Sequence, residues 1–298
     1  RVLRQIARTE KQRMEGLQRR STRLGKKEVY RRLEAEREIK LTKKADFVIV
    51  HANELVTLEG PNKKPRSKEG MNNLGVSNDG AVAVRQGKIV AVGPTQKILR
   101  EIQKGFEQID ASGKLVTPGL IDSHVHLVFG GSREEELEQM AVKRTPYLEI
   151  KAQGGGMPTT LRKTAETSTK ELLKRTTHIL DTMLIHGTTT IEAKSGYEMT
   201  QTGEIRQLEI IRKLAHTHPI DLVPTFMAQG IPFEYENRVD ELTQEIVQKW
   251  VPEVAKRKLA EYCDVLCEKG YFNVEQSRRI LEAGRKYGMK LRIHADWL

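Results

Sequence analysis

Two histidines, His124 and His126, stand one residue apart at the end of a strand-like run within residues 117–134, TPGLIDSHVHLVFGGSRE. Side chains alternate across a strand, so both rings point to one face, roughly 6.6 Å apart along the chain. Two imidazole nitrogens at that spacing can close on one cation, each at about 2.1 Å. Because Asp122 precedes the pair and a Gly-rich turn follows it, the pattern favours a metal site over two unrelated core histidines.

This segment resembles the first barrel strand of the amidohydrolase superfamily, whose metal-dependent hydrolases begin their barrel with Pro-Gly-x-Ile-Asp-x-His-x-His. Six further segments follow in the order found in the imidazolonepropionase family, and together the matches cover residues 46–298. These segments are LVFGGSRE (127–134), TPYLEIKAQGGG (145–156), KSGYE (194–198), PTFMAQGIPFEY (224–235), CDVLCEKGYFNVEQSRRIL (263–281) and IHAD (293–296).

The resemblance implies an α/β fold, a TIM-like (β/α) barrel of the amidohydrolase type, preceded by a small β-sandwich domain. Short strands and a hairpin turn at Gln86-Gly87 place that domain at residues 45–115. Apolar strands alternating with amphipathic helices fill residues 116–298, as in parallel βαβ units. About five strands fit there, whereas a closed barrel has eight strands and about 250 residues, so we expect a barrel that is incomplete at its C-terminus.

By the same resemblance, His294 is the third ligand, beside His124 and His126, of one Zn²⁺ or Fe ion per subunit. Taken alone, a single histidine is more often structural. A proton-shuttling Asp is expected beyond Leu298, so no catalytic residue is assigned within the chain. The 298-residue chain by itself is therefore expected to be inactive.

Three candidate substrate contacts follow from the resemblance or from chemistry. Arg133 can hold a carboxylate with two parallel hydrogen bonds, although it also lies beside three glutamates as a surface arginine would. Tyr197 matches a family tyrosine that touches substrate and product, against the alternative of a packed core tyrosine. Tyr147 is a further candidate, and Lys194 is interpreted as a structural cation rather than as a carbamylated metal bridge.

Two positions depart from the family pattern. Gln229 stands where the family has a histidine, and it can hydrogen-bond a substrate ring but cannot carry a positive charge. Trp297 replaces a substrate-contacting glutamate in the His-Ala-Asp-Glu motif. Both changes concern the substrate pocket and leave the metal ligands as they are.

The implied activity is metal-dependent hydrolysis of the cyclic amide C–N bond of 4-imidazolone-5-propanoate to N-formimidoyl-L-glutamate, in histidine degradation. One alternative is another amidohydrolase, a deaminase or cyclic amidase acting on a different nitrogen heterocycle. A second is a non-catalytic truncated remnant, with an exposed sheet edge that promotes association.

The net charge of +11 is concentrated in residues 1–45, which hold sixteen Lys and Arg against six Glu, whereas the rest of the chain carries only +1. We therefore expect a basic, helical extension over residues 1–44, which could bind an anionic partner such as nucleic acid, and no nucleic-acid binding by the body. No membrane span or signal peptide is apparent, so a cytoplasmic location is expected. A homodimer of the complete protein is a separate expectation. Cys263 and Cys267 are interpreted as buried thiols rather than a disulfide or a zinc site.

Overall fold

The structure is a computed structural model that describes residues 43–60 and 65–296, without the side chains of Leu148 and Lys151. Residues 1–42, which make up nearly all of the expected basic extension, and Trp297 lie outside the described residues. The chain divides into two compact units, one ending at Pro118 and one beginning at Gly119. Within the described part, no helix has the length and apolar composition needed to cross a membrane.

The first unit is built on one five-stranded mixed sheet with a helix beside it. Its central strand β1 pairs antiparallel with β2 and parallel with both β4 and β5, while β3 pairs antiparallel with β2. The elements are β1 Phe47–Val56, β2 Val76–Arg85, β3 Lys88–Pro94, α1 Thr95–Glu101, β4 Glu107–Asp110 and β5 Leu115–Val116, with a 3-10 turn at Lys68–Asn72.

The hairpin between β2 and β3 turns at Gln86-Gly87, as the sequence predicts. Both residues have positive φ, 49° and 71°, which is the backbone conformation of a two-residue hairpin turn. On one face of the sheet Val48 and Val50 of β1 pack with Ile98 of α1. In this part of the chain a helix rather than a second sheet covers that face, so the expected β-sandwich is not confirmed.

The second unit contains five parallel strands joined by helices, and the unit is therefore α/β. Each strand pairs with the one that precedes it in the chain, giving the order β10-β9-β8-β7-β6. The strands are β6 Leu120–Val125, β7 Thr188–Lys194, β8 Asp221–Ala228, β9 Tyr262–Val265 and β10 Lys290–Leu291. The helices are α2 Glu134–Ala141, α3 Tyr147–Ala152, α4 Met157–Glu166, α5 Thr169–Ile185, α6 Gln201–Thr217, α7 Val239–Glu245, α8 Val251–Lys256 and α9 Val274–Lys286, with a π turn at Ile246–Trp250 and a 3-10 turn at Phe233–Tyr235.

Helix capping and apolar packing explain why these segments fold as they do. Thr200 Oγ1 accepts a hydrogen bond from the Gly203 amide and begins α6, and Asn273 forms a reciprocal capping box with Gln276 at the start of α9. The apolar stripes of the helices then pack on the buried strands in one continuous core. Its members include Leu172, Leu180, Ile191, Leu208, Ile211, Phe226, Val265 and Ile280.

Candidate functional site

The candidate site lies at one edge of the parallel sheet of the second unit. The five strands run in the same direction, so their carboxyl ends meet at that edge. His126 follows β6, Tyr197 follows β7 and Gln229 follows β8. His294 comes three residues after β10. Its backbone forms a parallel bridge with Leu266, the residue that follows β9. The fold therefore gathers residues that are up to 170 positions apart in the sequence.

The three predicted histidines lie together. The ring of His124 is 5.5 Å from that of His126 and 5.1 Å from that of His294, measured between ring centroids. His294 is fixed by its backbone, because its amide donates to the Val265 carbonyl at 3.0 Å and its carbonyl accepts from the Cys267 amide at 2.8 Å. The i, i+2 spacing thus brings the rings of His124 and His126 together. Backbone hydrogen bonds to Val265 and Cys267 place His294 beside them.

Both His124 and His126 favour the neutral form. Burial lowers the pKa of His126 to about 3, and burial followed by the charge of Lys194 lowers the pKa of His124. The Nδ1 atom of His126 is buried and has no hydrogen-bond partner among the described residues. A neutral imidazole with a free nitrogen is the form of histidine that binds metal ions.

The three histidines offer the donor atoms that a metal ion needs, but their side chains are not arranged so that all three could bind one ion. Imidazoles on one tetrahedral ion have ring centroids on the order of 5 Å apart, given metal–nitrogen bonds of about 2.1 Å, and both pairs that include His124 are close to that spacing. Across the described residues, however, no three His, Cys, Asp or Glu side chains are arranged so that they could hold an ion. Closing the site would therefore require side-chain rotation.

A buried charge cluster lies inside the sheet near His124. The ammonium of Lys194 donates to Glu192 Oε1 at 2.8 Å and also to Asp264 Oδ2. All three side chains are 3% exposed or less. Thr225 Oγ1 donates to the same Glu192 oxygen at 2.7 Å. The sequence interpretation of Lys194 as a structural cation identified the lysine but not its two carboxylate partners.

Two charged residues at alternate positions of an otherwise uncharged strand are the signal that could have revealed this cluster. Glu192 and Lys194 are an i, i+2 pair in TTTIEAK, and so they face the same side of β7. Asp264 lies in β9, which is separated from β7 by β8. Since the sequence does not give that strand order directly, the third member could be found only from the structure.

Tyr197 lies against the histidine cluster. Its ring centroid is 4.9 Å from that of His126 and 6.5 Å from that of Phe129. Burial raises the pKa of the Tyr197 hydroxyl, while the positive charge of Arg133 and a hydrogen bond donated by the Gln229 side-chain amide oppose that shift. The structure therefore brings Tyr197 together with two other predicted substrate contacts.

Arg133, in the loop after β6, and Tyr147, the first residue of α3, lie beside this tyrosine. Arg133 stands just before α2, and its guanidinium forms an ion pair with Glu136 at 3.7 Å while remaining partly exposed. Glu136 also accepts a hydrogen bond from the Gly156 amide at 2.9 Å. A side chain at Gly156, where φ is +75°, would meet the Tyr147 hydroxyl at 2.7 Å, so glycine allows the close contact between the start of α3 and the start of α4.

Gln229 lies between the loop after β7 and helix α4. Its Nε2 donates to the sulfur of Met157 at 3.5 Å, and its Oε1 is buried without a hydrogen-bond partner among the described residues. A side chain at Gly196 would overlap Oε1, which explains the glycine at that position. An unpaired buried carbonyl beside Tyr197 is a ready acceptor for an N–H group of a ligand.

The two cysteines remain free thiols. Cys263 is fully buried in β9, and burial raises the pKa of its thiol to about 12. Cys267 is only partly buried, so the prediction of two buried thiols holds for the first and is too strong for the second.

Comparison with known proteins agrees with this geometry. The Amidohydrolase family matches residues 115–298, which is more than half of the chain. The chain belongs to the amidohydrolase family. Imidazolonepropionase from Alkaliphilus metalliredigens is 47% identical to it over 84% of the chain, and imidazolonepropionase from Geobacillus kaustophilus is 45% identical over 82%. These alignments cover 60% and 58% of the two relatives, so the chain spans about three fifths of their length.

Solved structures show the same fold at low sequence identity. A 5-methylcytosine deaminase from Klebsiella pneumoniae superposes with a TM-score of 0.51 at 14% identity, covering 84% of this chain and 51% of the deaminase. Guanine deaminase from E. coli gives a TM-score of 0.50 at 13% identity, covering 83% of this chain and 52% of the enzyme. This amidohydrolase chain therefore shares an α/β architecture with those two enzymes.

Proposed function

We propose that this chain supplies the histidine metal ligands and much of the substrate pocket of an imidazolonepropionase. The reaction is hydrolysis of the cyclic amide C–N bond of 4-imidazolone-5-propanoate to give N-formimidoyl-L-glutamate. The observation that carries the proposal is the position of His124, between His126 and His294 at the strand edge where Tyr197 also lies. The identity of 44–47% to imidazolonepropionases supports the choice of substrate.

In this proposal, His124, His126 and His294 hold one Zn²⁺ or Fe ion per subunit. The donor set is suited to such an ion, because burial favours the neutral form of His124 and His126 and leaves Nδ1 of His126 unpaired among the described residues. Such an ion supplies Lewis-acid chemistry, polarising a carbonyl and making hydroxide available near neutral pH. The fold supplies the strand ends that bring the three rings to one edge.

The remaining candidate residues bind and orient the substrate. Arg133 binds the propanoate carboxylate, for which its planar guanidinium offers two parallel donors. The hydroxyl of Tyr197 donates to the heterocycle, and its ring, packed against His126, limits access of bulk water to that side. The unpaired Oε1 of Gln229 accepts from a ring N–H, and Tyr147 closes the pocket over Gly156.

Comparing 4-imidazolone-5-propanoate with an analogue that lacks the carboxylate separates recognition of the substrate's propanoate side chain from recognition of its ring. In the full-length natural protein, Arg133→Lys removes the two-pronged donor but keeps the charge. We expect it to raise KM for 4-imidazolone-5-propanoate roughly tenfold, which is about 1.4 kcal/mol, without changing turnover of the uncharged imidazolone. The matched control is Arg162→Lys, an exposed arginine on α4, which leaves both unchanged. No turnover of imidazolone-5-propanoate by the unmodified protein would reject the proposed function.

A second candidate function is hydrolysis or deamination of a different nitrogen heterocycle. Gln229 favours it, because a neutral amide stands where the family has a histidine that can carry a proton. Trp297, the other departure from the family pattern, lies outside the described residues. Turnover of imidazolone-5-propanoate, cytosine and guanine measured side by side distinguishes the two functions, since preference for either nucleobase would establish the second.

The expected cytoplasmic location, the homodimer and the binding of an anionic partner by residues 1–44 remain predictions about the whole protein. So do the strand-end aspartate and the closed barrel that the resemblance implies.

A further inference from the structure

Helix α4 contacts the loop that leads to Arg133 and the side chain of Gln229. On the side of β6, the Gly130 amide donates to Thr164 Oγ1 at 2.9 Å, and Lys163 Nζ donates to the Ser132 carbonyl at 2.8 Å. These two bonds hold the loop that leads directly to Arg133. At the other end of the helix, Met157 accepts the bond from Gln229.

The loop after β7 reaches the same helix through one arginine. Arg206 in α6 donates twice to Glu198 Oε1, from Nε at 2.8 Å and from Nη2 at 2.6 Å. Its Nη1 donates to the Thr167 carbonyl at 3.0 Å and its Nη2 also donates to the Thr164 carbonyl at 2.9 Å. A single guanidinium therefore joins the residue next to Tyr197 to the C-terminal end of α4.

The rest of that loop is held by α6 itself. Glu204 Oε1 accepts from the backbone amides of Glu198 and Met199 at 3.0 and 2.8 Å. Gln207, with its amide oxygen facing the backbone, accepts from the amides of Tyr197 and Glu198 at 3.3 and 3.1 Å. These bonds fix the loop to α6, whereas only Arg206 among these side chains extends from α6 to α4.

We propose that Arg206 is a positioning residue that sets the distance between Arg133 and Tyr197 by joining their two loops through α4. The inference rests on the proposed function insofar as these two residues are taken as the substrate contacts. The planar fork of arginine suits this task, since its donors point in fixed directions to a carboxylate and to two carbonyls at once. Arg206 is only 24% exposed and Glu198 only 9%, so water competes weakly for these bonds.

The test uses the full-length natural protein with its metal bound and three variants. Arg206→Met removes all the bonds and keeps the aliphatic packing. Arg206→Lys keeps the positive charge beside Glu198 but cannot also reach the carbonyls of Thr164 and Thr167. The control is Arg212→Met, an exposed arginine on the same helix that donates to the Arg257 carbonyl at 3.1 Å.

Backbone hydrogen exchange gives a readout that does not depend on activity. Arg206→Met is expected to speed exchange both in residues 128–133 and in residues 195–199, whereas Arg212→Met leaves both segments unchanged. In Arg206→Lys, backbone hydrogen exchange is expected to stay slow in residues 195–199 and to be fast in residues 128–133. Exchange that changes in only one segment on Arg206→Met, or in neither, overturns the proposal.

Kinetics then show whether the coupling serves substrate binding. Arg206→Met is expected to raise KM for imidazolone-5-propanoate tenfold to a hundredfold, because a displacement of about 1 Å can cost that much, with kcat less affected and metal content unchanged. Loss of metal, or an unchanged KM despite faster exchange, contradicts the positioning role. If the unmodified protein does not act on this substrate, the proposed function fails, and the exchange experiment still decides whether Arg206 couples the loops.

Discussion

The ammonium of Lys194 lies 2.8 Å from Glu192 Oε1 within the second unit, with the two side chains only 1% and 3% exposed. Asp264 pairs with the same ammonium, and Arg292 Nε lies 3.3 Å from the same Glu192 oxygen. The carboxylates of Glu192 and Asp264 are thus balanced by two cations, Lys194 and Arg292. These residues come from β7, from β9 and from the segment just after β10. The cluster links the ends of β7, β9 and β10, next to the histidines.

Removing the lysine should destabilise the protein severely. Lys194→Met leaves Glu192 and Asp264 buried without their shared cation, and such a change costs about 3 to 5 kcal/mol. Urea denaturation measures the change in the free energy of unfolding. Lys174→Met, at an exposed position of α5, is the matched control and should change it by less than about 0.5 kcal/mol. A loss below about 1 kcal/mol on Lys194→Met would show that the cluster adjusts without its cation.

The metal proposal is tested by counting bound ions. His126→Ala removes a buried ring whose Nδ1 is unpaired among the described residues, and we expect the bound Zn or Fe per subunit to fall well below one in the full-length protein. His178→Ala, at an exposed position on α5, should leave the metal content as it is. Elemental analysis after dialysis gives the stoichiometry. If the content stays the same in the His126 variant, the histidine group has a structural role.

The approach of His124 to His126 could be predicted from the sequence because it depends on local spacing, whereas His294 is assigned through the family resemblance. A strand fixes the relation between the first two rings. The Gln86-Gly87 hairpin is local in the same sense, and it forms as predicted. Each of these features needs only a few neighbouring residues to specify it.

Contacts between distant segments could not be predicted in this way. Lys194 and Asp264 are 70 residues apart, and Arg206 lies 42 residues from Thr164. Composition does not indicate which buried charges will pair, because that depends on strand order and on the packing of α4 against α6. The expected second sheet of the first unit depends on such contacts too, and in the described residues a helix occupies that place.

The thiols should differ sharply in reactivity. Cys263 is buried and its thiol pKa is raised to about 12, so at pH 8 it carries almost no thiolate, the reactive form. Cys267 is partly accessible. A disulfide reagent at pH 8 should therefore modify only one thiol in the folded protein and both in denaturant. Cys267→Ser should remove the fast reaction, whereas rapid modification of Cys263 in that variant would mean that β9 opens readily.

The buried carboxyl of Glu204 should make the stability depend on pH. Burial raises its pKa from 4.5 to about 7, although two backbone amides donate to it. Between those values the folded protein holds a proton that the unfolded chain has released. The free energy of unfolding therefore falls as the pH rises from about 4.5 to about 7, by roughly 3 kcal/mol for this group.

Glu204→Gln should abolish that part of the pH dependence. The Gln oxygen still accepts from the Glu198 and Met199 amides, while the buried charge is removed, so the variant should be more stable than the natural protein above pH 7 and no more stable below pH 4.5. Glu166→Gln, an exposed carboxyl at the end of α4, controls for the loss of a negative charge. Urea denaturation at pH 5 and pH 8 gives the comparison. If the free energy of unfolding changes equally between pH 5 and pH 8 in the natural protein and in the Glu204 variant, then Glu204 is ionised at neutral pH and another group compensates its charge.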